Sequence, residues 1–261
     1  MGEVDLNFKP SVPVFDANVA WGRRRSRTVS VDTIEGILKA MGTAGIERAL
    51  VYSTLTMEAS ATSFGTSDTW DGNHMLIEAI KKASNLVPQF AFNPAVDKLD
   101  AFSHDVATQG VRSVRITPKL HNYPFCDWAV KPWMDWLSSE QIGVWVPVDQ
   151  IDAPEFHDTI ELYPDIPVVL CEAHYIYDPW VNLLMQRLPN LYLEISRTVS
   201  PDGIVNLIEM VGEERILYGS RFPDSPMAPQ LYNLNHCDLS DATLSSICYR
   251  NVERILEGET K

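Results

Sequence analysis

The sequence predicts a (β/α)8 barrel, and three observations predict it. Short β-branched runs occur at residues 12–15, 49–52, 89–92, 111–116, 144–148, 168–170, 191–195 and 215–218. Segments with helical periodicity separate most of them, at residues 33–43, 73–83, 98–108, 133–139, 179–187 and 202–211. The last four runs recur about every 24 residues, room for a strand, a loop and a helix, and eight such units fill about 250 residues. A doubly wound open sheet is the rival architecture, disfavoured because no Gly-rich phosphate loop is present.

The boundaries follow from local chemistry. Asp32 with Glu35 three residues on resembles a capping box and predicts the start of the first helix. Gly45 and Gly110 stand before the second and fourth runs, where a glycine ending a helix belongs. Pro94 and Pro118 follow the third and fourth runs, ending strands rather than interrupting them. No linker, repeat or shift in composition divides the chain, so residues 1–261 are expected to form one domain. The longest loops, residues 53–72 and 118–132, leave the C-terminal ends of the second and fourth strands, the face where barrels place their chemistry. Trp70, Tyr123, Phe125, Trp128 and Trp133 lie in or beside them, either as packing over the mouth or as a partly apolar pocket wall.

Composition sets outer limits. The net charge of −14 argues against nucleic acid and against anionic membrane surfaces as partners. No apolar run approaches the roughly 18 residues a membrane span needs. The first residues show no secretory signal, and Cys126, Cys171, Cys237 and Cys248 lack C-x-x-C spacing. Free thiols in a cytoplasmic protein are the expectation. The run from Arg23 to Arg27 is anomalous in an acidic chain, as a solvated face, a funnel for an anionic substrate or a patch for a partner subunit. A homo-oligomer is compatible with that run. Nucleotide-binding, serine-hydrolase and zincin motifs are absent.

Several segments carry a resemblance in the right order. Phe15-Asp16-Ala17-Asn18-Val19-Ala20-Trp21-Gly22 parallels an Asp-x-His-x-His opening. Asn93-Pro94 parallels a third-strand ending, and Gly110-Val111-Arg112-Ser113-Val114-Arg115-Ile116 parallels Gly-x-Lys-Gly-Ile-Lys. Tyr218-Gly219-Ser220-Arg221-Phe222-Pro223 parallels Gly-Ser-Asp-aromatic-Pro, and Asn251-Val252-Glu253-Arg254-Ile255-Leu256 a closing Asn-Ala-x-Arg-Leu helix. Together they make the chain similar to the amidohydrolase-related family of the metal-dependent hydrolase superfamily. The resemblance implies a barrel that hydrolyses, decarboxylates or hydrates a small carboxylate-bearing molecule. Some barrels of this wider group open lactones without a metal.

The resemblance also implies metal ligands, and the chain departs at each position. Asn18 and Ala20 replace two first-strand histidines, Asp149 and Glu172 the histidines of strands five and six, and Arg221 the eighth-strand aspartate. A guanidinium carries no lone pair for a metal and stays positive. No metal or other cofactor is therefore expected in the family's site. A relocated site using Asp149, Glu172, His174 and Glu194 is the alternative. Arg221 is expected to pair with Asp149 or Glu172 inside the mouth, because a buried lone charge costs about 3–5 kcal/mol.

Glu172 and His174 alternate at strand spacing, as do Glu194 and Ser196. With Asp16 and Asp149 they would form either a ring fit for general acid–base work or a satisfied polar plug. In the catalytic reading Asp149, Glu172 or His174 activates water. Arg115 and Arg221 then hold the anionic group of a carboxylate or lactone substrate, with Asn18, Trp21 and Glu194 around it. The rival reading is a non-catalytic barrel that binds a small anion or a partner subunit. His121 is a weaker candidate in the fourth-strand loop, and His74, His104 and His157 are expected at the surface.

Overall fold

The computed structural model describes residues 8–23, 31–57, 68–200 and 202–259. Eight parallel strands close into a barrel: β1 (Phe15–Trp21), β2 (Arg48–Ser53), β3 (Leu86–Pro88 with Phe90–Ala91), β4 (Ser113–Arg115), β5 (Gly143–Pro147), β6 (Val168–Cys171), β7 (Leu191–Glu194) and β8 (Ile216–Leu217). Neighbours in sequence are neighbours in space throughout. β3 is broken at Gln89: its first part pairs with β2 and its second with β4. The barrel closes where Ala17 N–H donates to Tyr218 O at 3.0 Å and Ala20 N–H to Phe222 O at 2.8 Å.

Helices cover the outside: α1 (Ile34–Ala44), α2 (Asp68–Ile80), α3 (Leu99–Gln109), α4 (Asp127–Glu140), α5 (Ala153–Ile160), α6 (Asp178–Arg187), α7 (Gly203–Val211), α8 (Ala228–Asn235), α9 (Asp241–Ser245) and α10 (Asn251–Glu257). None is long and apolar enough to cross a membrane, among the described residues.

The expected boundaries mostly shift by a residue or two, with instructive exceptions. The first run was expected at residues 12–15, yet β1 begins at Phe15 and extends to Trp21. Polar Asp16 and Asn18 hid it, because they interrupt the apolar Phe15, Ala17, Val19 and Ala20 and are themselves buried against other polar groups. The start of α1 also differs from expectation. Thr33 is the N-cap, accepting from Gly36 N–H at 3.2 Å, while Asp32 pairs with Arg23 at 2.8 Å. Gly45 and Gly110 end their helices as expected, at φ 76° and 64°, values that glycine reaches without strain. α5 escaped the periodicity reading, since its eight residues span barely two turns.

Two apolar layers hold the barrel. Outward residues such as Val51, Val144, Val146, Leu170 and Leu193 pack under the helices. Inward Phe15, Leu50, Trp145, Val169, Tyr192 and Leu217 fill the lower barrel, where Val252, Ile255 and Leu256 of α10 close the floor. Tyr123, Phe125 and Trp133 are buried, and Trp133 stacks on Phe92 at 4.2 Å, so these three aromatics are packing. Trp70 and Trp128 are exposed.

Gly143 opens β5 where a Cβ would lie 2.7 Å from Ile255 and 2.8 Å from the Trp145 ring. Gly143→Ala should overpack this floor and lower stability by about 1–3 kcal/mol in denaturant unfolding.

Candidate active site at the barrel mouth

The mouth is organised around a buried guanidinium. Arg115 ends β4 with its side chain fully buried, and its plane lies 4.1 Å over the Tyr52 ring at the end of β2. Its Nη2 donates to Glu172 Oε1 at 2.6 Å and its Nη1 to Asn18 Oδ1 at 3.2 Å. Asn18 passes the connection on, donating through Nδ2 to Glu194 Oε2 at 2.9 Å. Glu194 also accepts from Glu172 N–H at 3.3 Å, from Ser196 Oγ at 3.0 Å and from Ser196 N–H. One network therefore joins the ends of β1, β2, β4, β6 and β7.

Each charge has a stated environment. Burial opposes the Arg115 charge, but Cys171, Tyr52, Glu172 and Glu194 around it more than offset this, so its pKa rises. Burial raises the Glu194 carboxyl, opposed by its hydrogen bonds from Asn18 and Ser196 and reinforced by Glu172. Gly219 faces this carboxylate so closely that a Cβ would sit 2.6 Å from it.

Arg221 departs from expectation. Its partner was to be Asp149 or Glu172, but Glu172 is taken by Arg115, and no carboxylate lies within ion-pair distance of Arg221 among the described residues. Arg221 sits beyond β8 at φ 59°, half-buried, with its Nε buried and unpartnered. The left-handed backbone there aims the side chain differently from a regular strand residue. Glu172 has the same conformation, at φ 60°.

The other proposed residues scatter. Asp149 is exposed in a turn after β5, accepting from Gln150 Nε2 at 3.2 Å. His174 is half-buried, accepts from Ile176 N–H at 3.4 Å and lies against Tyr175 at 3.9 Å. Among the described residues, Asp149, Glu172 and His174 share no hydrogen bond with one another. Trp21 is half-buried at the end of β1. His121 is buried and bonds Thr56 O at 2.7 Å, tying two loops together. His74 and His104 are exposed and His157 half-buried. The basic run beyond Arg23 lies outside the described residues. Tyr52 went unrecognised in the sequence, although as the last residue of the second run it stood at a strand's functional end.

Asp16 is not a member of an inward acid ring. It is fully buried in the seam between β1 and β8, where its Oδ1 accepts from Ser220 N–H at 2.9 Å and Asn18 N–H at 3.1 Å. Burial lifts its pKa from 3.8 to about 7, against the pull of the Ser220 and Asn18 bonds, with Glu194 adding to the rise.

The amidohydrolase family model matches residues 23–257. The chain belongs to the amidohydrolase family. Solved structures agree on the fold. A 5-carboxyvanillate decarboxylase from Sphingomonas paucimobilis shares 14% identity at TM-score 0.71, covering 95% of this chain and 99% of its own. A 2,6-dihydroxybenzoate decarboxylase from Rhizobium shares 13% at 0.70, covering 95% and 100%. A proposed 2-pyrone-4,6-dicarboxylic acid hydrolase from Pseudomonas putida shares 14% at 0.68, covering 96% and 99%. No curated protein matches the chain in sequence.

The donors of this amidohydrolase-family mouth do not fit the metal ion its resemblance implies. Glu172 is committed to Arg115, and Glu194 accepts from four donors. No group of three or more His, Cys, Asp or Glu side chains is placed to share an ion among the described residues.

Two outcomes follow. Glu172→Gln should weaken the answer to a buried cation and cost about 3 kcal/mol in unfolding experiments. Asp16 binds its proton more tightly folded than unfolded, so its contribution to stability is full below about pH 4 and declines as pH rises to about 7. Asp16→Asn should flatten that part of a melting temperature against pH curve, a change on the order of a few kcal/mol.

Proposed function

We propose that the barrel mouth takes a small carboxylate-bearing molecule on Arg221 and turns it over without a metal ion, by hydrolysis or a related lyase step. The observation that carries this reading is Arg221 itself, a half-buried guanidinium with no carboxylate in reach among the described residues. A guanidinium fork suits a carboxylate, and a free one at a barrel mouth is a recognition element. The solved relatives named for decarboxylation of hydroxybenzoates and for hydrolysis of a pyrone dicarboxylate support the substrate class.

In the hydrolytic form, water adds to the substrate carbonyl and passes its proton to Glu172, whose side chain is 20% exposed above Arg115. Arg221 stabilises the negative charge that develops. Asp149, exposed in the turn after β5, and half-buried His174 beyond β6 share no hydrogen bond with Glu172, so this reading gives the proton to Glu172 rather than to either of them. Arg115, Asn18 and Glu194 hold Glu172 from beneath. The matching substrate is a carboxylate-bearing lactone: as the tetrahedral intermediate collapses, the ring C–O bond breaks and Glu172 returns its proton to the leaving alkoxide, with no cofactor.

A second reading is binding without turnover, and one observation favours it: Glu172 and Glu194 are both satisfied by internal hydrogen bonds, which weakens either as a base. We read the chain in both cases as one cytoplasmic domain, supported by a single family match over most of its length and by four free cysteines.

The experiment combines metal analysis with ligand binding. Purified protein should carry well under one equivalent of ion. It should gain melting temperature with 2,6-dihydroxybenzoate or 2-pyrone-4,6-dicarboxylate, and Arg221→Ala should abolish the gain. Turnover that survives chelator and is lost in folded Glu172→Gln establishes the enzyme; binding without turnover establishes the second reading. A full equivalent of ion, with activity lost on chelation, overturns the metal-free proposal.

A further inference from the structure

We infer that Asp16 is a positioning residue, whose carboxylate sets the backbone from which both Asn18 and Arg221 reach the mouth. The inference rests on the reading of the mouth as a carboxylate site and adds a device that builds it.

The geometry begins with an irregularity. β1 pairs with β2 in one register at Asp16–Ala49 and in another at Val19–Val51, so β1 holds one residue more than its partner between these points. A bulge of this kind leaves backbone groups out of the ladder and redirects side chains. On the other edge, Ala17 N–H and Ala20 N–H reach Tyr218 O and Phe222 O, which flank the irregular stretch. Two N–H groups inside it, those of Asn18 and Ser220, both donate to Asp16 Oδ1. One oxygen thus satisfies two buried donors that the ladder misses, one on its own strand and one 204 residues away in sequence.

Each donor precedes or carries a site group. Asn18 bridges Arg115 to Glu194. Ser220 comes immediately before Arg221, whose left-handed backbone continues from it, and Ser220 Oγ accepts from Phe222 N–H at 3.0 Å. The Asp16 side chain does not itself reach the mouth, being fully buried in the seam. It acts on a ligand only through these neighbours. Asparagine at this position keeps an accepting oxygen, whereas alanine removes it, so the two variants separate acceptor geometry from charge.

The test compares Asp16→Asn with Asp16→Ala in the full chain at pH 8, on the alkaline side of the Asp16 pKa of about 7, where the carboxylate predominates. Two readouts are taken on the folded proteins: the Asn18 side-chain amide resonances without ligand, and the dissociation constant of 2,6-dihydroxybenzoate. Asp16→Asn should leave the Asn18 resonances near their wild-type positions and affinity within about threefold. Asp16→Ala should shift the Asn18 resonances and weaken binding tenfold or more, about 1.4 kcal/mol. If Asp16→Ala fails to fold, Asp16→Thr, which keeps a shorter acceptor, takes its place with the same expectation of displaced resonances. Unmoved Asn18 resonances and unchanged affinity in a variant that merely melts lower would overturn the inference. If wild type does not bind the probe, the carboxylate-site reading fails, and the Asn18 resonances alone then decide the positioning role.

Discussion

A guanidinium with no exposed side-chain surface must be answered by charge and by hydrogen bonds, and the mouth of this barrel is built as that answer. Arg115 is too far from solvent for water to screen it. Leaving such a charge unpaired would cost about 3–5 kcal/mol, comparable with the whole stability of many domains. Glu172 answers the charge directly. Asn18 accepts from it and hands the polarity on to Glu194, while Tyr52 offers its ring face. Five strand ends are thereby fastened into one geometry. The same bonds that stabilise Arg115 consume the donors that a metal ion in this family's barrel would need.

The arrangement separates two arginines that look alike in sequence. Arg115 is internal and paired, part of the wall. Arg221 is half-buried and has no carboxylate in reach among the described residues, which leaves it available to something outside the protein. Glu172 and Arg221 both hold a left-handed backbone, which costs a non-glycine residue on the order of 1–3 kcal/mol and persists only where the surroundings over-determine it. For Glu172 the surroundings are evident in Arg115 and Glu194. For Arg221 they include the Asp16 seam and the turn in which Asp224 N–H donates to Arg221 O at 3.0 Å.

Much of the barrel was legible along the chain, because a β-branched run followed by a helical period needs no distant partner to be recognised. The glycines that end α1 and α3 were readable for the same reason: the conformation is local. β1 was misplaced because buried Asp16 and Asn18 interrupt its apolar residues, and hydrophobic periodicity cannot register polar burial that depends on partners such as Arg115, nearly a hundred residues from Asn18. The identity of Arg221 was legible too, and it is enough to say that this side chain cannot coordinate a metal.

Partnership is what the sequence could not assign. Asp149 and Glu172 were equally eligible to meet Arg221, and composition offered no means of ranking them. The choice depends on where each strand ends and how β1 bulges. The tertiary structure gave Glu172 to Arg115, left Asp149 in solvent and moved Asp16 from the mouth into the seam. The sequence by itself determined the kind of barrel and which charged residues stand near its strand ends. Only the fold decided which of them pair, because Coulomb energy and desolvation depend on separation and burial, and neither is a property of a residue alone.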